Sequence, residues 1–215
     1  MTSASIPTEI ESIRDDGLRE IAARGQIRRF QKNAVIIQEG DSGDSLYIIL
    51  SGRVKVYASD DTGKEIVIDV YGPGEYVGEM MLDGGPRSAS VMTLEPATFA
   101  VISLADLRDH IAAHPDFAIH LIRKLINRTR KATDNVKTLA LMDVYGRVAR
   151  LLLNLAVEED GKLIVPEKLT QQEIATRVGS SREMISRIMK DLAVGGYIEI
   201  RDRTIIITRR PPAHW

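Results

Sequence analysis

The chain has 215 residues, of which 44% are hydrophobic and 27% charged, as is typical of a soluble protein with one large or two small domains. The absence of cysteine excludes disulfides, cysteine-ligated iron–sulfur clusters and thiol chemistry. No apolar run approaches the roughly 20 residues of a membrane helix, and the N-terminus lacks the pattern of a signal peptide, so we expect a cytoplasmic protein with no membrane partner.

The net charge of −1 is unevenly distributed along the chain. Residues 144–215 carry 12 basic and 9 acidic side chains, whereas residues 1–143 carry 17 and 21. Since only a local basic patch can meet phosphate, the C-terminal third is where we expect nucleic acid to bind.

The first hundred residues predict short helices followed by many strands. Residues 9–24 have apolar side chains at helical spacing, which indicates one or two short helices. From about 27 to 104, β-branched runs alternate with Gly- and Asp-containing turns: VIIQEG, SLYIIL, GRVKVYA, EIVIDVY and TFAVISL. This pattern is typical of a small antiparallel barrel or sandwich.

The segment GEYVGEMMLDGGPRSAS interrupts these strands with glycines and a single arginine. Arg87 can offer a fork of donors to a phosphate. The hydroxyl of Ser88 and the amides of Ser88 and Ala89 can point at the same oxygens, and Gly78 allows the backbone to approach closely. The segment therefore predicts an anion site.

Glu79, in the same segment, suits a different part of a ligand. A carboxylate repels phosphate but accepts a hydrogen bond from a ribose 2′-hydroxyl. One cation for phosphate and one anion for a hydroxyl fit a cyclic ribonucleotide. The alternative is a surface Arg–Glu pair in a β-turn, and the residues alone do not decide between the two.

A long helix is predicted after the strands. SLADLRDHIAAHP indicates a helix that stops before Pro115, and Asp116 starts a pattern without glycine or proline up to Leu141. Side chains at alternating spacings of four and three form a heptad seam: Ala118, Ile122, Leu125, Thr129, Ala132, Val136 and Leu139. The narrow seam favours a homodimer, and packing of the stripe on the chain's own barrel is the alternative.

The histidines do not predict a metal site or an enzyme. His110 and His114 are one helical turn apart, which is a spacing that metal ligands use. The proline that follows and the lack of a nearby carboxylate pair favour a surface helix end, so no metal is expected. No P-loop and no Ser-His-Asp order is found, and we expect no catalytic residues.

The remaining residues predict a DNA-binding unit. Asp143 can cap a helix that continues to Val157, and the junction at 141–143 is the predicted domain boundary. In LTQQEIATRVGSSREMISRIMKDLAVGG, Thr170 and Glu173 have capping-box spacing, and we expect Ser180 and Glu183 to form a second capping box. Two short helices joined by a glycine-containing turn are a helix-turn-helix.

The second of these helices carries the groups that read DNA. Arginine can bond guanine O6 and N7 together, and a carboxylate can accept from cytosine N4. YIEIRDRTIIIT then predicts a hairpin wing near the DNA backbone. The predicted DNA-binding residues are Thr170, Gln171, Ser181, Arg182, Glu183, Ser186, Arg187, Lys190, Arg201 and Arg203. The alternative is a small helical subdomain whose charges are merely solvated.

The order of barrel, long helix and winged helix-turn-helix, from about residue 20 to 210, resembles the cyclic-AMP receptor protein (CRP/FNR) family of bacterial transcription regulators. LALMDVYGRVARLLLNLA and SSREMISRIMKDL are particularly similar to the hinge and the recognition helix of that family. The resemblance implies an α+β fold: an antiparallel cyclic nucleotide-binding β-roll over 1–115, a dimerisation helix and hinge over 116–142, and a winged helix-turn-helix over 143–215.

The resemblance also implies a function. Residues 74–90 match the family's phosphate-binding cassette, and residues matching Arg182, Glu183 and Arg187 read a TGTGA-type half-site, two of which form a palindrome. The implied protein is a homodimer that a cyclic nucleotide controls allosterically through the hinge near Asp143. RNA polymerase is a further expected partner, and we place its contact in the loop EEDGKLIVPEK.

One departure from the family leaves the effector open. Two hydroxylated residues that contact adenine in cyclic-AMP-binding members align with Ala132 and Thr133, and Ala132 has no hydroxyl. Cyclic AMP is the first expectation. Cyclic GMP, cyclic di-GMP, a haem or gas response, and loss of the ligand are the alternatives. Arg128, one turn before Ala132, is expected to pair with Glu79 and connect the pocket to the dimer helix.

Overall fold

The computed structural model describes residues 8–211, which form two compact units. The first unit contains residues up to 60 together with 68–128, and the second contains 61–67 and the chain from 129 onward. The domain boundaries at 115 and 142 stay predictions.

The first unit begins with two short helices and is otherwise rich in strands. The predicted N-terminal helices are present as α1 (Thr8–Glu11) and α2 (Asp16–Ala22). The strands are β1 (Gln26–Phe30), β2 (Val35–Ile37), β3 (Ser45–Ser51), β4 (Val54–Ser59), β5 (Glu65–Tyr71), β6 (Tyr76–Val77), β7 (Ser90–Thr93) and β8 (Ala97–Ser103). The first three residues of β5 belong to the second unit. A 3₁₀ turn, Glu79–Asp83, separates β6 from β7.

These strands form two four-stranded sheets, in the orders β1-β8-β3-β6 and β2-β7-β4-β5. Strand β8 pairs antiparallel with β1 and β3, and β7 pairs antiparallel with β2 and β4. One apolar cluster draws its buried side chains from both sheets: Ile37, Ile49, Val54, Val77, Val91, Ala97 and Phe99. The predicted antiparallel β-roll is confirmed.

Helices α3 (Leu104–Ala113) and α4 (Pro115–Leu141) follow β8. The Ser103 hydroxyl caps α3 by accepting from the Asp106 amide at 3.1 Å, and Pro115 occupies the first position of α4, where a missing N–H costs nothing. The prediction that this helix end lies at the surface is wrong for His110, which is fully buried, because α2 and Phe117 pack against it.

Most of α4 exposes apolar side chains to solvent in the single chain. Only Phe117 and Leu121, near its start, are buried. The exposed large apolar side chains are Ile119, Ile122, Ile126, Val136, Leu139 and Leu141, with exposed fractions between 43% and 77%. The stripe includes three positions of the predicted seam and extends beyond it at Ile119 and Ile126. In the described part of the chain, no helix is both long enough and apolar enough to cross a membrane.

The second unit contains α5 (Val144–Leu155), α6 (Gln171–Val178) and α7 (Arg182–Val194), with strands β9 (Val157–Glu159), β10 (Lys162–Val165), β11 (Ile198–Arg201) and β12 (Thr204–Ile207). The strands form one sheet in the order β11-β12-β10-β9. Asp143 caps α5 as predicted, since its Oδ1 accepts from the Gly146 amide at 2.7 Å. The helix ends at Leu155, two residues earlier than expected.

The segment EEDGKLIVPEK is not the simple loop that we expected. Its first part is the hairpin of β9 and β10, in which Lys162 pairs with Glu159. Asp160 and Gly161 form the connection with φ values of 49° and 72°. Positive φ at both central residues is what a tight hairpin turn requires, and Asp-Gly adopts it readily. Within this segment, only the turn at 160–161 and residues 166–168 lie outside strands.

Candidate functional site

Arg87 is held firmly inside the first unit. Its side chain is 7% exposed, Nη1 donates to the Gly78 carbonyl at 2.6 Å, and Nη2 donates to the Ser45 carbonyl at 2.8 Å. Its backbone amide donates to the Asp41 carbonyl at 2.9 Å. Three of the five guanidinium N–H groups have no partner among the described residues, so a fixed cation retains donors for an anion.

Glycines make the space for this guanidinium. Gly78 has φ +93°, and a Cβ there would lie 2.8 Å from both Arg87 Nη1 and the Ser45 carbonyl oxygen. A Cβ on Gly43 would lie 2.6 Å from Arg87 Nη2. Gly78 was predicted to allow a close approach of the backbone. In the structure, the group that the backbone approaches is Arg87, because the absence of a Cβ lets the Gly78 carbonyl accept from its guanidinium.

Replacing Gly78 with alanine is expected to destabilise the first unit. The left-handed backbone alone costs about 1–2 kcal/mol for a residue with a Cβ, and displacement of Arg87 adds to it. Gly84 is the matched control, because its φ is +77° and a Cβ added there would meet no atom within 4 Å. Urea unfolding of both variants measures the difference, and equal losses of stability would contradict a packing role for Gly78.

The residues after Arg87 present free polar groups. Ser88 is exposed and Ala89 half-buried, and neither backbone amide donates to another group in the described part of the chain. The chain is then anchored at Ser90, whose buried hydroxyl accepts from the Glu39 amide at 3.0 Å. Successive unpaired amides beside a cation are a recurrent way to bind an anion.

Glu79 pairs with Arg128, as the sequence predicted. Glu79 Oε1 accepts from Arg128 Nη1 at 2.5 Å, and the two side chains are 12% and 16% exposed. Arg128 Nη2 donates to the Tyr76 carbonyl at 2.5 Å. The guanidinium also lies over the rings of Tyr71 and Tyr76, with its carbon 4.5 Å and 4.7 Å from their centroids. The pair joins the cassette to α4.

The charges of this pair are maintained inside the unit. Burial lowers the pKa of Arg128, but the Glu79 carboxylate together with Tyr71 and Tyr76 raises it overall, so the guanidinium stays protonated. Burial raises the pKa of Tyr71 and Tyr76, although Arg128 acts in the opposite direction, and both phenols are neutral at neutral pH. The two tyrosines were not predicted from the sequence, because nothing in their spacing places them around Arg128.

Thr133 lies in the second unit, whereas Gly78, Glu79, Arg87, Ser88, Ala89 and Arg128 lie in the first. Its exposed hydroxyl donates to the Thr129 carbonyl of the preceding turn at 3.0 Å. The neighbouring Ala132 is also exposed. The structure thus brings six of the seven predicted ligand residues into one unit.

The predicted helix-turn-helix is present as α6 and α7. The Thr170 hydroxyl accepts from the Glu173 amide at 3.2 Å, and the Glu173 carboxylate accepts from the Thr170 amide at 2.6 Å, which confirms the first capping box. Gln171 is the first, exposed residue of α6. Gly179 ends this helix with φ 67° and ψ 50°.

The second predicted capping box is wrong by one residue. Ser181, not Ser180, caps α7, and its hydroxyl accepts from the Met184 amide at 3.2 Å. Ser180 is still part of the end of α6, because its amide donates to the Ala175 carbonyl at 3.0 Å across the left-handed Gly179. This bond is that of a Schellman motif, and it makes Ser181 the first residue free to start the next helix.

Helix α7 has one apolar and one polar face. Its buried side chains are Ile185, Ile188, Met189 and Leu192. The predicted DNA-reading side chains are all exposed: Arg182, Glu183, Ser186, Arg187 and Lys190. Within the described residues the three cations make no ion pair. The Glu183 backbone amide and then the Ser181 hydroxyl lower the pKa of the Glu183 carboxyl, which keeps an acceptor among these cations.

The predicted wing is the hairpin of β11 and β12, in which Arg201 pairs with Thr204. Asp202 and Arg203 form its turn with φ values of 49° and 65°. Arg201 donates to Glu199 at 2.7 Å, so part of its charge is offset, whereas Arg203 is exposed at the tip. Arg203 is therefore the freer cation of the wing.

Arg147 is a structural residue that was not predicted from the sequence. Its Nε donates to the Val178 carbonyl at 2.8 Å and its Nη1 to the Met142 carbonyl at 2.9 Å. One side chain thus satisfies carbonyls at the end of α6 and just after α4, where backbone acceptors lack helical partners. Its position between apolar residues in VYGRVARLLL was the available signal.

A β-roll with a built anion cradle, followed by a winged helix-turn-helix with a basic second helix, defines a ligand-responsive DNA-binding protein. A family model for the cyclic nucleotide-binding domain matches residues 27–114, and one for the Crp-like helix-turn-helix domain matches residues 146–211. The chain belongs to the CRP/FNR family of cyclic nucleotide-binding transcription regulators, a family of regulators and not of enzymes.

Individual relatives agree with this assignment. A CRP-like cAMP-activated global transcriptional regulator of Mycobacterium tuberculosis is 36% identical over 184 residues, which cover 83% of this chain and 82% of the relative. The cAMP-activated global transcriptional regulator CRP of Salmonella typhimurium is 33% identical over 199 residues, 90% of this chain and 94% of the relative.

Among solved structures, the c-di-GMP responsive global regulator CLP of Xanthomonas campestris is similar, with a TM-score of 0.77 and 29% identity over 89% of this chain and 97% of the other. A mutant of CooA from Carboxydothermus hydrogenoformans has a TM-score of 0.78 at 17% identity, over 97% of this chain and 93% of the other. At that identity the second likeness bears on the fold alone.

Proposed function

We propose that this protein is a homodimeric transcription regulator whose affinity for a palindromic operator is controlled by a cyclic nucleotide, with cyclic AMP as the first candidate. The observation that carries the proposal is the cradle around Arg87. A buried guanidinium, fixed by two backbone carbonyls, keeps three donors beside the unpaired amides of Ser88 and Ala89. A cyclic phosphate, with one negative charge and two free oxygens, suits that set of donors.

The ribose would be bound by Glu79. Arg128 occupies Oε1 of this carboxylate, which leaves Oε2 to accept from a 2′-hydroxyl. Because Arg128 lies on α4, a change in the hydrogen bonding of Glu79 is passed directly to the long helix. Binding can shift the protein between two states only if the ligand has unequal affinity for them, and the Glu79–Arg128 pair is a contact that the ligand can alter.

The base is the least determined part of the ligand. The resemblance to the family implies that Ala132 and Thr133 stand at the base-contacting positions, and the side chain of Ala132 cannot donate a hydrogen bond. Loss of a hydrogen bond to a buried polar group costs about 1–3 kcal/mol, which is enough to change the preferred base. Cyclic di-GMP is the second candidate, since a structural relative with 29% identity is a c-di-GMP responsive regulator.

Parallel calorimetric titrations with cyclic AMP, cyclic GMP and cyclic di-GMP test the choice of effector. We expect cyclic AMP to bind most tightly, in the ratio of one molecule per cradle. If cyclic di-GMP binds more tightly than cyclic AMP, cyclic di-GMP is the effector. A protein that binds none of the three would contradict control by a cyclic nucleotide.

The dimer would form along α4. Its exposed apolar stripe, which includes Ile122, Val136 and Leu139, is far longer than the scattered apolar residues of an ordinary monomer surface. Pairing of two such helices would present two copies of α7 to a palindromic operator, each to one TGTGA-type half-site. RNA polymerase is a further proposed partner, with its contact at the β9–β10 hairpin and residues 166–168.

The allosteric part of the proposal has a direct test. The affinity of the purified protein for a duplex with two TGTGA half-sites is measured by fluorescence anisotropy with and without cyclic AMP, at one fixed salt concentration. We expect tighter binding with the nucleotide, through a different arrangement of the hinge near Asp143. Equal affinities would defeat the allosteric mechanism while leaving DNA binding intact.

Arg187→Ala is expected to weaken binding to the TGTGA-type duplex by about 5- to 150-fold for each half-site, because a bidentate arginine–guanine contact contributes about 1–3 kcal/mol. Binding to a random duplex should change little, since that depends on phosphate contacts. Lys162→Ala removes one exposed charge from β10 of the same unit and serves as the control. Equal losses on both duplexes would show that Arg187 contacts phosphate and not a base.

A further inference from the structure

Three potential metal ligands converge in the first unit, away from the Arg87 cradle. Glu20 comes from α2, His110 from α3, and His114 from the residue that ends α3. One ligand atom from each lies within 4.8 Å of the other two. His114 Nε2 and Glu20 Oε2 are 3.8 Å apart, and the centroids of the two imidazole rings are 4.6 Å apart.

His110 is the inner member of this cluster, and its ring nitrogens make no hydrogen bond of good geometry to the described residues. Its side chain is fully buried. Its other ring contact is Phe117, edge to face at 4.9 Å between centroids. A buried polar group without a well-formed hydrogen bond is unfavourable, so its retention here requires an explanation.

The charges around His110 favour a neutral ring. Burial lowers the pKa of His110, and His114 and Arg24 act in the same direction, while Glu20 and the backbone of Gly17 oppose them more weakly. Arg24 is the cation that faces this cluster, and the Glu20 carboxylate offsets its charge.

We propose that Glu20, His110 and His114 bind a divalent metal ion of the zinc class, with solvent as the fourth ligand. Two imidazoles and one carboxylate are a donor set that zinc uses in open sites. Tetrahedral zinc places its ligand atoms about 3.3 Å apart, so the widest gap must close by about 1.5 Å. The exposed side chains of Glu20 and His114 can make this movement without displacing the buried His110.

Such an ion would link α2 to the end of α3, because its ligands Glu20 and His110 are 90 residues apart in the chain. Because the metal would bind the folded unit and not the unfolded chain, it would stabilise the first unit in proportion to its occupancy. The prediction of no metal rested on the proline after His114 and on the lack of a nearby carboxylate pair in the sequence. Glu20 supplies one carboxylate through the tertiary structure.

The test is calorimetric titration of the full-length, nucleotide-free protein with Zn²⁺, together with the visible spectrum of the Co²⁺ complex, in which tetrahedral Co²⁺ absorbs strongly. We expect one equivalent of metal. His114→Gln and Glu20→Gln should each weaken binding at least tenfold and remove the tetrahedral spectrum. Both side chains are exposed, so these variants should fold, unlike a variant at the buried His110.

His120→Gln is the matched control, because His120 pairs with Asp15 at 2.8 Å and is not part of the cluster. His214→Gln is a second control, since this histidine lies outside the described residues. Binding that persists unchanged in His114→Gln and Glu20→Gln, or that is lost only in His214→Gln, would overturn the proposal, as would no binding at all. The measurement involves neither nucleotide nor DNA, so its outcome is independent of the proposed function.

Discussion

Replacing Arg87 by alanine is expected to weaken binding of cyclic AMP by about 30-fold to several thousand-fold. The substitution leaves the phosphate charge in a largely enclosed site without its cation, and loss of one partner of such a pair costs about 2–5 kcal/mol. Arg87→Lys retains the charge but not the planar fork of donors. Its affinity for cyclic AMP should therefore lie between those of the unsubstituted protein and Arg87→Ala. Calorimetric titration with cyclic AMP measures all three proteins.

The controls must separate ligand binding from folding. Arg87→Ala also removes the donors to the Gly78 and Ser45 carbonyls, so the first unit should lose stability. Arg108→Ala, at an exposed position of α3, removes the same charge without affecting the cradle. If Arg87→Ala is folded by circular dichroism and binds cyclic AMP like Arg108→Ala, the cradle is not the nucleotide site.

Placing a carboxylate in the α4 stripe is expected to abolish the dimer and, with it, tight operator binding. Val136 is 65% exposed in the single chain and belongs to the predicted seam. In Val136→Glu, two copies of the new side chain would face each other across the dimer axis, and burying unpaired like charges is strongly unfavourable. Loss of bivalent engagement should lower operator affinity by about 100-fold or more.

Asn127→Glu is the matched control for this variant. It adds the same charge to an exposed position of α4 on the side opposite the seam. Analytical ultracentrifugation should show a monomer for Val136→Glu and a dimer for Asn127→Glu, and anisotropy with the palindromic duplex should follow the same division. A dimeric Val136→Glu protein would refute pairing along this stripe.

Local sequence patterns predicted the secondary structure well where it depends on residues that are adjacent in the chain. The Thr170–Glu173 capping box, the Asp143 cap and the left-handed Gly179 depend on residues within one turn of the helix. The errors have local causes as well. Ser180 belongs to the end of α6, and the Asp160–Gly161 turn makes a hairpin from a segment that was expected to be a loop.

The sequence by itself determined the family, the order of the β-roll, long helix and winged helix-turn-helix, and the chemistry of the cassette. Each of these features depends on residues that are close together in the chain. Only the tertiary structure decided which distant groups meet. Arg87 is oriented by the carbonyl of Ser45, Arg128 is enclosed by Tyr71 and Tyr76, and Glu20 approaches His110. Such contacts depend on how strands and helices pack. The periodicity of a sequence shows which face of an element is buried, but not which residues pack against that face.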